Sequence, residues 1–313
     1  MRSLLGYVAA SRSVQGGKQS FMDATKYLVA NMLRSMAKKL EIELLYGQMG
    51  YAIVDSVAGN VITIKTAEWA PGIWAGAEGM PLEFSTSGAA ANRASTVVSV
   101  DLDGKKITVV DATGVLDDDV IFHKGAFGKE FAGIHKILTN TGSIFGINAT
   151  DYNLFKGNEF DADNGVLSFT KMNLAAAKGV EKGLDGKLLA MVNPTTWATL
   201  NNDQAALRQY DSSYSNVELQ EGSQGIKFFS QNGEIEITPS IYIKEGYAYL
   251  LSISEWSRVG SSDMTFKRPG QGDNFFRDLE NAAAYEMRLY SDQALFCSAP
   301  GKNIIISNIN NNA

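Results

Sequence analysis

The chain has 313 residues, with 28 Lys and Arg against 34 Asp and Glu, for a formal net charge of −6. It is long enough to bury a large core in two or three structural units, and its 45% apolar and 20% charged residues are those of a folded protein, not a disordered one. The acidic balance argues against a sequence-specific nucleic-acid binder, which carries a strong basic excess. The single cysteine, Cys297, excludes an intrachain disulfide framework and suits a reducing compartment. The opening MRSLLGYVAASRSVQGG lacks the layout of a signal peptide, and no stretch approaches the ~20 apolar residues needed to span a bilayer, so the chain reads as cytosolic when made.

Residues 1–19 form a loosely patterned arm ending in Gly16-Gly17. Ser20 opens a long helical stretch, with Asp23 completing a capping-box-like pattern, and Phe21, Ala24, Leu28, Met32, Met36 and Leu40 recurring at three- to four-residue steps. Gly47 ends it. Arg34, Lys38 and Lys39 fall on the solvated face, where a neighbouring subunit or DNA could also reach them. Residues 51–124 change character: AIVDSV, VITIKT, STVVSVDL, KKITVVD and DDVIFH are short β-branched runs punctuated by turns. Val98, Val100 and Leu102 alternate before Asp103-Gly104, and Ile107 and Val109 alternate after it, which predicts a hairpin. This stretch is expected to be a small sandwich or barrel inserted into a mixed α/β framework. Trp69 and Trp74 flank Pro71-Gly72; a binding patch and a core or interface role both fit them, the second being the commoner for such aromatics.

From Gly125 a glycine-rich connection leads back to the framework. Glu159 to Gly165 reads as a turn and Val166 to Phe169 as a short strand. The stretch 170–200 predicts a helix capped by Thr170, with Met172, Ala175, Ala176, Gly179 and Val180 on one face and Gly183 closing it in the left-handed conformation. Leu188 to Val192 predicts a strand covered on both faces. Asn193-Pro194 restarts a helix, with Asn as cap and Pro at the first position. Residues 201–225 are polar, as expected of an exposed loop with some helix. Strands follow at IKFFS, EIEITPSIYIK and YAYLLSISEW. Residues 257–274 are loop-like and carry Arg268-Pro269-Gly270. A long strand through Tyr290 and a final one at Ile304 to Ile309 complete the chain.

Reactive constellations are not evident. His123 and His135 stand twelve apart with no matching Cys/His group, so a zinc site is not expected, and both read as structural residues. Gly17-Lys18 fails as a phosphate loop, because Arg12 occupies the place of the first glycine and Gln19 that of the magnesium-holding Ser or Thr. Glu159, Asp161, Asp163, Asn164 and Gly165 fail as a calcium loop, with Asn164 in the glycine place and Thr170 in the bidentate-Glu place. Asp117-Asp118-Asp119 is an acidic triplet expected to face solvent. Cys297 reads as a small buried apolar residue. Asn148-Ala149-Thr150 is a formal glycosylation sequon without a secretory route. No catalytic, cofactor or metal residues are assigned.

Taken in order, several phrases resemble tailed-phage major capsid proteins of the HK97-like fold. They are the helix closing in Glu41-Ile-Glu-Leu-Leu-Tyr-Gly47, the Gly125-Ala-Phe-Gly-Lys-Glu-Phe-Ala-Gly133 segment, and the helix from Lys171 read as a spine. The strand Leu188–Val192, the turn Asn193-Pro-Thr-Thr-Trp197, Thr238-Pro239, Tyr285-Glu-Met-Arg288, Pro300 and Asn308-Ile309 continue the series. The resemblance implies an α+β subunit, with a peripheral domain built on a spine helix and long strands and a mixed axial domain, plus the inserted β-rich module. Its divisions would be an arm at 1–19, the long helix of the peripheral domain at 20–50, the module at 51–130, and the peripheral and axial domains at 131–313. It implies self-assembly into pentamers and hexamers forming an icosahedral shell around double-stranded DNA, with scaffolding, portal or decoration proteins as further partners and the virion as location. Members usually carry an arm and an extended loop before the long helix, where this sequence has residues 1–19. The alternatives are another virion or surface protein, such as a decoration or carbohydrate-binding module, and, least supported, a metal hydrolase using Asp117–Asp119 or Glu159–Asp163.

Overall fold

The computed structural model describes residues 1–6, 18–86, 93–207, 226–230, 233–267 and 276–311. In chain order the helices are α1 (Lys18–Tyr46), α2 (Pro71–Trp74), α3 (Ile134–Leu138), α4 (Phe169–Val180) and α5 (Pro194–Leu207). The strands are β1 (Arg2–Gly6), β2 (Ala52–Ala58), β3 (Val61–Ile64), β4 (Pro81–Thr86), β5 (Arg93–Asp101), β6 (Lys106–Val109), β7 (Asp119–His123), β8 (Ser143–Ile144), β9 (Ile147–Asn148) and β10 (Asn158–Asp161). They continue as β11 (Leu188–Val192), β12 (Ile226–Ser230), β13 (Gly233–Pro239), β14 (Ala248–Leu251), β15 (Trp256–Thr265), β16 (Arg277–Leu279), β17 (Ala282–Arg288), β18 (Tyr290–Cys297) and β19 (Ile304–Ser307). The chain divides into two compact units, one of Met1–Glu41 with Arg258–Phe296 and one of Ile42–Ser257 with Cys297–Ala313.

In the larger unit, β2-β3-β6-β5-β4-β7 close into a barrel. Full closure leaves no open edge among its short strands. Ile62, Leu82, Phe84, Ile107 and Ile121 fill the interior, each fully buried. The hairpin at Asp103-Gly104 forms as expected, with Asp101 paired to Lys106 and the Asp101 carboxylate accepting from the Gly104 N–H at 3.0 Å. Its inward face differs from simple alternation. A bulge between Val97 and Ser99 shifts the register, so Val97 is buried while Val98 is 54% exposed. One extra residue in a strand moves every later side chain to the other face.

A six-stranded mixed sheet, ordered β10-β19-β14-β11-β13-β12, adjoins the barrel. Side chains alternate across it, so its two faces serve two cores. Ala190, Ala248, Leu250, Ile304 and Ile306 pack beneath α4 with Met172, Ala175 and Ala176. Tyr249, Leu251 and Ile305, one residue out of step, join the barrel core instead. This continuous core is why barrel and sheet form one unit. Over the edge strand β10, Lys178 Nζ donates to the Glu159 carbonyl at 2.7 Å and Lys171 Nζ to that of Ala162 at 2.8 Å. Charged side chains laid on an edge oppose pairing with a stray strand.

Several local expectations are corrected. The cap of α4 is Ser168, not Thr170: Ser168 is extended (φ −128, ψ 163) and its side chain accepts from the Lys171 N–H. Val166 to Ser168 forms no strand; Leu167 is apolar because it is buried, at 1% exposure. At 12 residues α4 is about 18 Å long, against 29 residues for α1. Its end follows the expectation: Gly183 (φ +87) lets the Leu184 N–H reach the Gly179 carbonyl and its own N–H reach that of Val180. Glu159 to Asp161 is strand, not turn, because parallel pairing to β19 claims it; the turn falls at Asp163-Asn164, both left-handed. β13 stops at Pro239, which has no N–H to donate, and residues 240–247 turn instead of extending. β14 likewise ends at Leu251, and Ile253–Glu255 is a short 3-10 turn. Asn193 caps α5 as expected, accepting from the Thr195 N–H at 3.0 Å.

In the smaller unit β1-β17-β16 form an antiparallel sheet and β15 pairs with β18. The expected loop at 257–274 is thus strand through Thr265. Its polar run, with Gly260, carries no alternation, and pairing with β18 holds it. The core is small: Met32, Met287 and Leu289 are buried, with Leu28, Val29 and Met36 of α1 partly so. Ser20 and Asp23, the side chains of the expected capping box, lie outside the described residues, as do Gly16-Gly17, most of the polar stretch 201–225 and Arg268-Pro269-Gly270.

Candidate functional site

Among the described residues, a cluster of buried polar side chains lies where the barrel meets the six-stranded sheet. Glu68, on a 3-10 turn of the barrel, is 7% exposed, and Lys244, on the turn after β13, is 3% exposed. Lys244 Nζ donates to Glu68 Oε2 at 2.6 Å and to the Gly50 carbonyl at 3.3 Å, and lies 4.4 Å above the Tyr46 ring. The Tyr247 hydroxyl donates to Glu68 Oε1 at 2.9 Å. Tyr46, at the end of α1, donates its hydroxyl to the Tyr242 carbonyl and accepts from the Lys244 N–H. His135 Nδ1 lies 2.8 Å from the Tyr249 hydroxyl, with the ring edge-on to Tyr247. Four elements distant in sequence are thus tied at one point.

The electrostatics are those of a clamp. Burial alone would raise the Glu68 carboxyl, but the Lys244 ammonium and its hydrogen bonds outweigh it and hold it below its ordinary value. Burial, helped by Lys244, pushes His135 down to about 3, so its imidazole is neutral. Burial also pushes the hydroxyls of Tyr46, Tyr247 and Tyr249 up. Glu68, His135 and the three tyrosines are all moved away from neutrality, where a general acid or base works best.

The residues singled out in the sequence are scattered. Trp69 and Trp74 are 1% and 0% exposed, with stacked rings 6.1 Å apart in the barrel core, so they form no exposed binding patch. His123 ends β7 against Tyr51, ring centroids 4.5 Å apart. Of the acidic triplet, Asp118 faces solvent beside Lys65, but Asp119 is fully buried, paired with Arg93 at 3.0 Å and accepting from Thr86. The expectation of a solvent-facing triplet fails there, because β7 starts at Asp119 and turns its side chain inward. Asp161 accepts from the Asp163 N–H and from Asn308, which makes an Asx-type turn. Among the described residues no group of three or more His, Cys, Asp or Glu side chains is arranged to hold a metal ion. Cys297 is buried, and desolvation pushes its thiol up to about 12.

Sequence reasoning missed Glu68, Lys244 and Asn303. Asn303 is fully buried, and its Oδ1 accepts from the Ser252 N–H at 2.8 Å and from Trp256 Nε1 at 2.9 Å. Only one signal was available: Lys244 directly follows the apolar run Ile241-Tyr242-Ile243.

The sequence matches no family model and no curated protein. The structure does find neighbours. A chain of the cyanophage A-1(L) capsid asymmetric unit overlays with a TM-score of 0.51 and 11% identity, over 99% of this chain and 76% of that one. The chain has a capsid-protein fold. The likeness to the HK97-like capsid fold carried by the sequence phrases therefore holds at the level of architecture, as an α+β capsid fold. Two other shell-forming proteins overlap in part: the SrpI encapsulin of Synechococcus elongatus (TM-score 0.34, 10% identity, 53% of this chain and 60% of that one) and a virus-like particle of Pyrococcus furiosus (TM-score 0.31, 11% identity, 56% and 58%). No helix among the described residues is long and apolar enough to cross a membrane.

Proposed function

We propose that this chain is the major capsid protein of a tailed bacteriophage, assembling into pentamers and hexamers that tile an icosahedral shell around double-stranded DNA. The observation that carries the reading is the overlay of 99% of the chain on a phage capsid subunit. In this reading the unit of α1 and the β1-β17-β16 sheet is the peripheral domain, with α1 as spine helix, and the six-stranded sheet is the axial domain. The barrel is a module inserted in the sequence after α1, and it shares the core of the six-stranded sheet. The protein works by contact geometry, not by turnover: repeated heterologous contacts close into rings, and rings close into a shell. Scaffolding, portal and decoration proteins are its further partners, and the virion its location. A glycan-binding role rested on exposed tryptophans, and both are buried in the barrel. Size-exclusion chromatography with negative-stain imaging of the purified chain tests the proposal. Capsomers, tubes or shells are expected; a chain that stays monomeric under all assembly conditions overturns it.

A further inference from the structure

The unit of Met1–Glu41 and Arg258–Phe296 carries two surface patches of opposite charge that find no ion-pair partner among the described residues. The first is a strip of α1. At 100° per residue, Lys26, Tyr27, Leu33, Arg34 and Ala37 share about a third of the helix circumference. Tyr27 is 70% exposed and Leu33 37%. Neither Lys26 nor Arg34 makes an ion pair or side-chain hydrogen bond among the described residues. Exposed Tyr and Arg beside an apolar stripe are the residue types that anchor protein interfaces. The second patch is the tip of the β16–β17 hairpin. Leu279 pairs with Ala282, leaving Glu280-Asn281 as a two-residue loop. Asp278 and Glu280 are exposed beside the small side chains of Ala282 and Ala283 and are equally without an ion-pair partner among the described residues.

Resting on the shell reading above, we infer that the acidic β16–β17 tip of one copy docks on the Lys26–Arg34 strip of a second copy. Two anions meet two cations, and the alanines let the hairpin tip lie close to the helix between Tyr27 and Leu33. Lys26 and Arg34 lie about 12 Å apart along the helix axis, which leaves an apolar gap that a narrow hairpin can enter. The two patches are different surfaces of the same chain, so the contact is heterologous: each copy offers one tip and one strip, and the arrangement propagates from copy to copy, closing into a ring where the rotation between copies allows. Nucleic acid is the weaker occupant. Two cations around an apolar strip, on a chain of net charge −6, fall short of the dense basic surface that phosphate binding requires.

Charge reversal with rescue tests this. Lys26→Glu with Arg34→Glu, and separately Asp278→Lys with Glu280→Lys, should each raise the concentration needed for assembly at least about tenfold, since like charges then face each other. The four-fold variant carrying both reversals should return to within about threefold of the parent chain. All four positions are exposed, so circular dichroism and melting temperature should not change. Added salt should weaken parent assembly, as expected for charges at the rim of an interface. A parent chain that never assembles overturns the shell reading together with this contact. A parent that assembles while the reversed pairs assemble equally well, or a combined variant that gains nothing, overturns this contact alone. Normal shells of the Lys26→Glu, Arg34→Glu variant that hold less DNA would assign the strip to nucleic acid and overturn it as well.

Discussion

Lys244→Met removes the ammonium from the junction of barrel and sheet while keeping most of the side chain's bulk. The Glu68 carboxylate then loses its 2.6 Å partner and keeps only the Tyr247 hydroxyl at 2.9 Å. Breaking one side of a buried pair costs about 3–5 kcal/mol, because the remaining charge stays out of water and uncompensated. With a urea slope of roughly 3 kcal/mol per molar, the unfolding midpoint should fall by about 1–1.7 M. Fluorescence of the buried Trp69 and Trp74, which belong to the same core, follows the transition. The pH dependence gives a second readout. In the parent chain the Glu68 carboxyl sits below its ordinary value. Such a group contributes stability above its unfolded pKa of about 4.3 and loses it as pH falls through the folded value. Without Lys244, burial dominates and the folded pKa rises above the unfolded one, so the sign reverses and the variant's deficit should shrink as pH drops from about 7 to about 5. Adding Glu68→Leu removes the orphaned charge and should recover most of the loss. An unchanged midpoint in the single variant, or a deficit that does not shrink on acidification, refutes this account of the clamp.

Three further outcomes are expected. Ala176→Leu places a large side chain where Ala176, 2% exposed, packs α4 on the sheet, and overpacking there should cost about 1–3 kcal/mol and lower the melting temperature; a variant that melts and assembles like the parent counts against that packing. Gly47→Ala should be as damaging or worse, since a Cβ there would run into the carbonyl oxygens of Phe131 and Glu43, and unaltered expression and melting would disprove the close approach. Cys297, with its thiol pushed up to about 12, should stay unlabelled by a thiol reagent at about pH 8 in the native chain and react once unfolded, whereas rapid native labelling would show the site to be open.

Local sequence determined the elements whose signals are local. The apolar steps from Leu28 to Leu40 with Gly47 behind them specify α1 and its end, Asn193-Pro194 specifies the start of α5, Gly183 the end of α4, and Asp103-Gly104 the β5–β6 hairpin. Each depends on dihedral preferences or caps within a few residues, which a sequence displays directly. Tertiary pairing decided the rest. β10 became a strand because β19 lies beside it, β15 because β18 does, and neither partner is near in sequence. The bulge at Val97–Ser99 reversed an alternation that looked regular, and Asp119 went inside because Arg93 waited there. The clamp shows the limit most plainly. Glu68 and Lys244 stand 176 residues apart, and a lysine that closes an apolar run does not say which partner it will find. Composition and local pattern carry short-range energetics; the pairing of distant charges, and with it the joining of barrel to sheet, exists only once the chain has folded.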